Sequence, residues 1–303
     1  MKILIATDES KFSKNALDFV GRCPWPEKAE FLILNVNEID KGILMELQSD
    51  HPTTLKEFQQ QVYGDSKKLI SAEVDALKEK LPDHPIDGRT EIGSARECIL
   101  KAIEDWQPEV LIMGSHGRTG VKKFLLGSVA ESVLAQAPCT VVIVKDEIES
   151  DQIEESRVLV ALENEQCSKV LADFIKEFPL KKTTHCKVVH VVLPVLVNSL
   201  MSLLPAALTA NIAEDRWRKG REYTENFSET VRQTWNAADI EPLVVEGDAK
   251  LEILDIVEKW KPHVVLLGSH KKKGLSTLGS VSKAIVAHSP CSAAVIPVPV
   301  SKT

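Results

Sequence analysis

Short apolar runs alternate with longer stretches of helical periodicity along the whole chain. In the N-terminal half the runs are Ile3–Thr7, Ala29–Asn35, Asp87–Ile92, Val110–Met113 and Thr140–Val144. Helical patterns fall between them near Ser13–Val20, Thr54–Lys80, Ala95–Trp106 and Ser128–Gln136. Strands that are apolar throughout, rather than alternating, and that are separated by helices predict a parallel sheet covered on both faces.

The pattern then repeats. Lys2–Asp8 aligns with Arg157–Glu163 at a shift of 155, and the same shift carries Asn35-Val36 onto His190-Val191. The shift is 154 where Asp105–Pro108 meets Lys259–Pro262 and where Gly114–His116 meets Gly268–His270, and 152 where Ala137–Cys139 meets Ser289–Cys291. Landmarks kept in one order with so little drift mark a duplication. The expected organisation is residues 1–145, an acidic linker over 146–156, and residues 157–303. The stretch Asp146–Ser156 holds six acids and almost no large apolar residue, the composition of a solvated connection.

The composition is that of an ordinary globular chain, 44% hydrophobic and 27% charged over 303 residues. A net charge of −7 disfavours charge-driven binding to nucleic acid or to an anionic membrane. The N-terminus enters a strand pattern without signal-peptide organisation, so a cytoplasmic location is expected. The six cysteines show no C-x-x-C spacing, and buried free thiols are the expected state. Hydrophobic Val192–Ile212 is interrupted by Pro194, Asn198, Pro205 and Asn211, so no stable membrane insertion is expected. An apolar surface helix covered by a partner chain or roofing a pocket, and a groove for a lipid-like ligand, remain as alternatives; the first includes a homodimer.

The chemistry concentrates at Gly114-Ser-His-Gly117, followed after nine residues by Gly127-Ser128. Val110–Met113 leads into this loop and a helix follows it. Glycines there allow φ > 0 and close approach of a ligand. Main-chain N–H groups of such a loop, with a helix N-terminus behind them, form an anion site for a polyphosphate. Ser128 offers a hydroxyl to phosphate or its metal, or serves as an N-cap. No Gly-Lys-Ser/Thr sequence occurs, and the glycines follow the fourth strand, which argues against a Walker loop and a dinucleotide fingerprint.

This Gly-2x-Gly-9x-Gly-Ser loop, in an α/β domain whose first strand ends in Asp, resembles the universal stress protein family, and more narrowly its ATP-binding branch. The resemblance covers both halves. It implies an adenine-nucleotide-hydrolase-like, Rossmann-like fold of two tandem open parallel five-stranded sheets with strand order 3-2-1-4-5. It implies stress induction, ATP as ligand (with Mg2+) and an unidentified protein client. The implied nucleotide contacts are Thr7 and Asp8 ending strand one, Val36 beside the base, and Met113, Gly114, His116, Gly117 and Arg118 at the first turn. Gly127, Ser128 and Val129 make the second. Asp8 alone would also serve as an N-cap.

The second half departs from this pattern. Glu163 replaces Asp8, Lys271 replaces Gly117, and Gly268 to Gly279 encloses ten residues where Gly114 to Gly127 encloses twelve. One nucleotide per chain, in the first half, is the expectation. No catalytic triad, nucleophile elbow or metal-spaced cluster is present in the sequence. A nucleotide-dependent binding module is therefore expected, with slow ATP hydrolysis or an apolar-ligand scaffold as alternatives.

Overall fold

The computed structural model describes residues 1–38, 52–117, 126–145, 156–177, 184–195, 206–235, 239–270 and 278–299. The chain divides into two compact units, Met1–Asp146 and Glu147–Thr303.

The first unit runs β1 (Lys2–Thr7), α1 (Lys11–Arg22), β2 (Glu30–Asn37), α2 (Pro52–Lys80), β3 (Ile86–Ile92), α3 (Ala95–Trp106), β4 (Val110–Gly114), α4 (Ser128–Gln136) and β5 (Thr140–Val144). Its strands are all parallel, in the order β3-β2-β1-β4-β5. The second unit repeats the plan with β6 (Ser156–Leu162), α5 (Glu165–Lys176), β7 (Thr184–Val192), α6 (Ala206–Trp235), β8 (Asp239–Glu246), α7 (Ala249–Trp260), β9 (Val264–His270), α8 (Ser280–His288) and β10 (Ser292–Val298). Its order is β8-β7-β6-β9-β10, again all parallel. Both units thus have the expected 3-2-1-4-5 order. Strand β6 begins at Ser156, which the sequence reading had assigned to the linker.

The helices follow from local chemistry. Ser10 accepts a hydrogen bond from the Ser13 N–H and starts α1; Asn164 does the same for α5 through Cys167. Helices α3 and α7 both end in a left-handed residue, Gln107 and Lys261, each at φ 51° and each followed by proline. The proline cannot continue the helix, and the left-handed residue turns the chain towards the next strand.

Right-handed crossovers place α1 and α2 on one face of the first sheet and α3 and α4 on the other. The packing agrees, with α1 against α2 and α3 against α4. Sandwiched strands lose contact with water on both sides, which explains their unbroken apolar sequence: β4 and β5 are buried at every position. Each such Val, Leu or Ile contributes roughly 1.5–3 kcal/mol relative to exposure. In the second unit one such layer holds Leu159, Val189, Ile253, Val257, Val265 and Ile285.

Two expectations need adjustment. Cys139, Cys167 and Cys186 are buried free thiols, whereas Cys23, Cys98 and Cys291 keep part of their surface. Burial pushes the Cys186 thiol up to about 12, so that thiol stays protonated. Of Val192–Ile212, Val192 closes β7 and residues 206–212 open α6, while 196–205 lie outside the described residues. No described helix is long and apolar enough to cross a membrane.

Candidate functional site

In both units the strand order reverses between the first and fourth strands, here β1 and β4, then β6 and β9. An open α/β sheet presents its ligand crevice there, outside the carboxyl ends of the strands. Among the described residues, the strand ends and turns that carry the predicted positions of the first unit lie at that place.

The turn after β1 is built by its own side chains. Asp8 Oδ1 accepts from the Ser10 N–H at 3.1 Å, and Ser10 Oγ in turn accepts from the Ser13 N–H at 3.2 Å. Asp8 is therefore not the N-cap of α1; Ser10 is. Between them Glu9 sits at φ 64°, a left-handed conformation that a non-glycine residue adopts at a cost. The turn fixes Asp8 so that its other oxygen faces the loop after β4. A Cβ on Gly117 would lie 2.8 Å from Asp8 Oδ2.

That contact corrects the reading of the glycines. None of Gly114, Gly117 and Gly127 has positive φ; the glycines of positive φ among the described residues are Gly93 and Gly247. The loop needs glycine for room. At Gly114 a Cβ would lie 2.7 Å from the Phe12 carbonyl carbon. At Gly127 it would lie 3.3 Å from both His116 Cα and the Ser115 carbonyl oxygen. The two loop ends are tied together, since Gly127 N–H donates to the Ser115 carbonyl at 2.9 Å and Ser115 N–H to that of Val144 at 2.8 Å.

Helix α4 starts at Ser128 with Gly127 as its N-cap, and no side chain accepts from the first turn. The positive end of the helix dipole and its leading N–H groups thus face the crevice without a built-in acceptor. Ser128 is exposed and Val129 half-buried; Val36 and Met113 are buried in their strands. The His116 ring packs 5.0 Å from Phe12 of α1, with Nδ1 3.1 Å from Ser115 Oγ, so the ring is anchored to the scaffold. Arg118 lies outside the described residues, as do Lys122, Lys123 and Lys271–Lys273.

A polar network under β1 and β2 was not foreseen. Thr7, buried, donates its hydroxyl to Glu73 of α2 at 3.0 Å. Asn35 donates to the Thr7 carbonyl at 3.3 Å, and Asn37 bridges Asn35 Oδ1 at 3.2 Å and Ser66 Oγ at 2.7 Å. The Thr7 side chain is therefore directed at the helix. Burial holds the Glu73 carboxyl above the usual range, against the lowering hydrogen bond from Thr7; Glu9 and Asp8 add to the rise and Lys14 opposes it. The legible signal was the pair Asn35 and Asn37 inside an apolar strand.

The second unit keeps a cleft of about 760 Å³ in the corresponding place. It is lined by Leu162, Glu163, Val191, Gly268, His270 and Gly279 among others, the counterparts of Thr7, Asp8, Val36, Gly114, His116 and Gly127. Its details differ. Glu163, one methylene longer than Asp8, reaches His270 Nε2 at 3.2 Å. His190, in the place of Asn35, uses Nδ1 on the Leu162 carbonyl at 2.9 Å, and its ring meets Tyr223 edge-on at 5.5 Å. Burial holds the His190 imidazole below its usual range, so it is neutral at pH 7. A neutral ring donating from Nδ1 leaves Nε2 as an acceptor.

The architecture is therefore an α/β unit with its crevice at a topological switch point, present twice in one chain. The universal stress protein family model matches residues 1–145 and again 155–297, and the chain belongs to that family. A universal stress protein from Methanocaldococcus jannaschii is 30% identical over 152 residues, covering 48% of this chain and 94% of the relative. The crystal structure of a universal stress protein from Archaeoglobus fulgidus superposes with a TM-score of 0.65 at 21% identity, over 98% of both chains. A functionally unknown protein from Pseudomonas aeruginosa gives a TM-score of 0.61 at 13% identity, over 98% of this chain and 92% of that one. These two structures share the fold of the whole tandem chain.

Proposed function

We propose that this protein is a nucleotide-dependent regulatory module that binds one ATP per chain, in the first unit, and signals through occupancy rather than turnover. The observation that carries the reading is the apposition of Asp8 and Gly117 across the switch point, beside a helix N-terminus without a side-chain cap. A carboxylate there accepts from the ribose or base, Val36 walls the base, and the N–H groups from Gly117 and the start of α4 take the phosphates. Arg118 adds charge to the phosphate end. Among the described residues no three His, Cys, Asp or Glu side chains gather as a metal site. A Mg2+ ion would accordingly ride on the phosphates, with the Ser128 hydroxyl as its protein contact. Partners of the loaded form would be a protein client in the cytoplasm and a second copy of the chain.

The direct test is mass spectrometry of ligand released from denatured, purified protein, together with calorimetric titration of ATP. The reading expects adenine nucleotide at one per chain. Absence of nucleotide from the purified protein together with no ATP binding heat would overturn it.

A further inference from the structure

The second cleft differs from the first in ways that select a different ligand. Its polyphosphate route is crossed by the Glu163–His270 pair, at 3.2 Å, in the place where Asp8 faces a bare Gly117 in the first unit. The loop beyond is two residues shorter and carries Lys271 where the first unit has that glycine. The polar network of the first unit is gone as well. Leu162, Val192 and Gly220 stand where Thr7, Asn37 and Ser66 make it, and Gly220 leaves room for the His190 ring, which comes within 2.8 Å of where its Cβ would be.

What remains is an apolar slot with an aromatic side and a cationic rim. Val191, Ile253 and Leu267 form its walls, and the His190–Tyr223 pair forms one side. Among the described residues neither His190 Nε2 nor the Tyr223 hydroxyl has a hydrogen-bond partner. The acids nearby are committed: Asp248 caps α7 through the Lys250 and Leu251 N–H groups, and Glu163 holds His270. Among the cations, Arg216 is tied to the Leu193 carbonyl and Lys219 to Asp215. Lys250, half-buried, has no ion-pair partner among the described residues. The cleft volume of about 760 Å³ is in the range that encloses a small organic molecule.

We infer that the second cleft binds a compact aromatic monoanion, its ring system between the apolar walls and the His190–Tyr223 pair, its single carboxylate or sulfonate towards Lys250. This goes beyond the nucleotide reading of the first unit and does not depend on it.

Anilinonaphthalene sulfonate, an aromatic monoanion, and neutral phenylnaphthylamine, the same ring system without the charge, are the probes. Fluorescence titration of the full chain should give one sulfonate site per chain. Lys250→Met should weaken it about tenfold, the loss of one charge-assisted contact, while leaving phenylnaphthylamine unchanged. Ser280→Trp, at an exposed helix start, fills the cleft mouth without touching the core and should remove both probes. Gly117→Lys should leave both titrations as in the wild type whatever it does to ATP, which keeps this test separate from the first-site reading. Sulfonate binding indifferent to both Lys250→Met and Ser280→Trp would overturn the inference. So would two ATP per wild-type chain with the second lost in Ser280→Trp.

Discussion

The carboxylate of Asp8 occupies the space that a side chain at Gly117 would need: Oδ2 lies 2.8 Å from the ideal Cβ position. The two residues are more than a hundred positions apart in sequence, on turns after the first and fourth strands. Neither has freedom to change alone, since a Cβ at 117 must push the carboxylate aside. Gly117→Ala is therefore expected to weaken ATP binding by about tenfold through displaced Asp8. Gly117→Lys should weaken it at least a hundredfold, as two or more phosphate hydrogen bonds are lost at roughly 1.5–3 kcal/mol each. Calorimetry on both variants checks the order; normal affinity in Gly117→Lys would remove the phosphate cradle from consideration.

Asp8→Ala should cost less, about 1.5–3 kcal/mol or some tenfold to hundredfold in Kd, and should weaken ADP and AMP as much as ATP because the contact lies at the base and ribose end. Glu163→Ala should leave the ATP stoichiometry at one per chain. A titration series with the three nucleotides distinguishes these cases. A loss confined to ATP would move Asp8 to the phosphate end.

Glu73 gives a pH signature. Its carboxyl is held above the usual range mainly by burial, so the folded state binds that proton more tightly than the unfolded chain. Its contribution to stability is fully present below the unfolded carboxyl pKa and is lost as pH rises through the higher folded value. Glu73→Gln keeps an acceptor for Thr7 and carries no charge. At pH 7 it should melt higher than wild type by something on the order of 1–3 °C, with the gap closing near pH 4. Calorimetric melts at the two pH values decide; a variant less stable at pH 7 would mean that the ionised carboxylate is needed by the fold.

The corresponding glycines of β4 and β9, Gly114 and Gly268, should respond differently to alanine. At Gly114 the obstruction is the Phe12 backbone and Cβ, with the carbonyl oxygen at 2.8 Å, none of which a side-chain truncation can remove. Overpacking of this kind costs about 1–3 kcal/mol, and Phe12→Ala should not relieve it. At Gly268 the obstruction is Cys167 Sγ, followed by Val298 Cγ2 at 3.0 Å. There Cys167→Ala should recover part of the loss. Urea unfolding of the two double-variant sets gives the comparison, and relief of Gly114→Ala by Phe12→Ala would contradict the assigned geometry.

Strand-level structure was open to sequence reading because both faces of each sheet are covered, so β1, β4 and β5 are apolar without interruption. The boundaries of α3 and α4 were legible to the residue from the Trp-x-Pro and Gly-Ser punctuation. The reason for the loop glycines was not, since Cβ clearance depends on Asp8 and Phe12, residues brought to the loop only by folding. The Thr7–Glu73 bond escaped for a similar reason: one acid on a long helix rich in charge gives no sign of which way it faces. The second cleft was obscured by the loss of Gly117's counterpart, although the cavity depends on strand ends and helix starts that both copies retain.

Gln107 and Lys261 end corresponding helices with the same φ of 51° and the same proline after them. Any parallel five-stranded unit would show the regular elements, so those say little about descent. A left-handed backbone on a residue other than glycine is different, because glycine would be the easier occupant and neither copy has it. Both copies thus share the irregularity as well as the regular elements. The halves keep one backbone, down to its left-handed corner, and differ in the side chains that face their clefts.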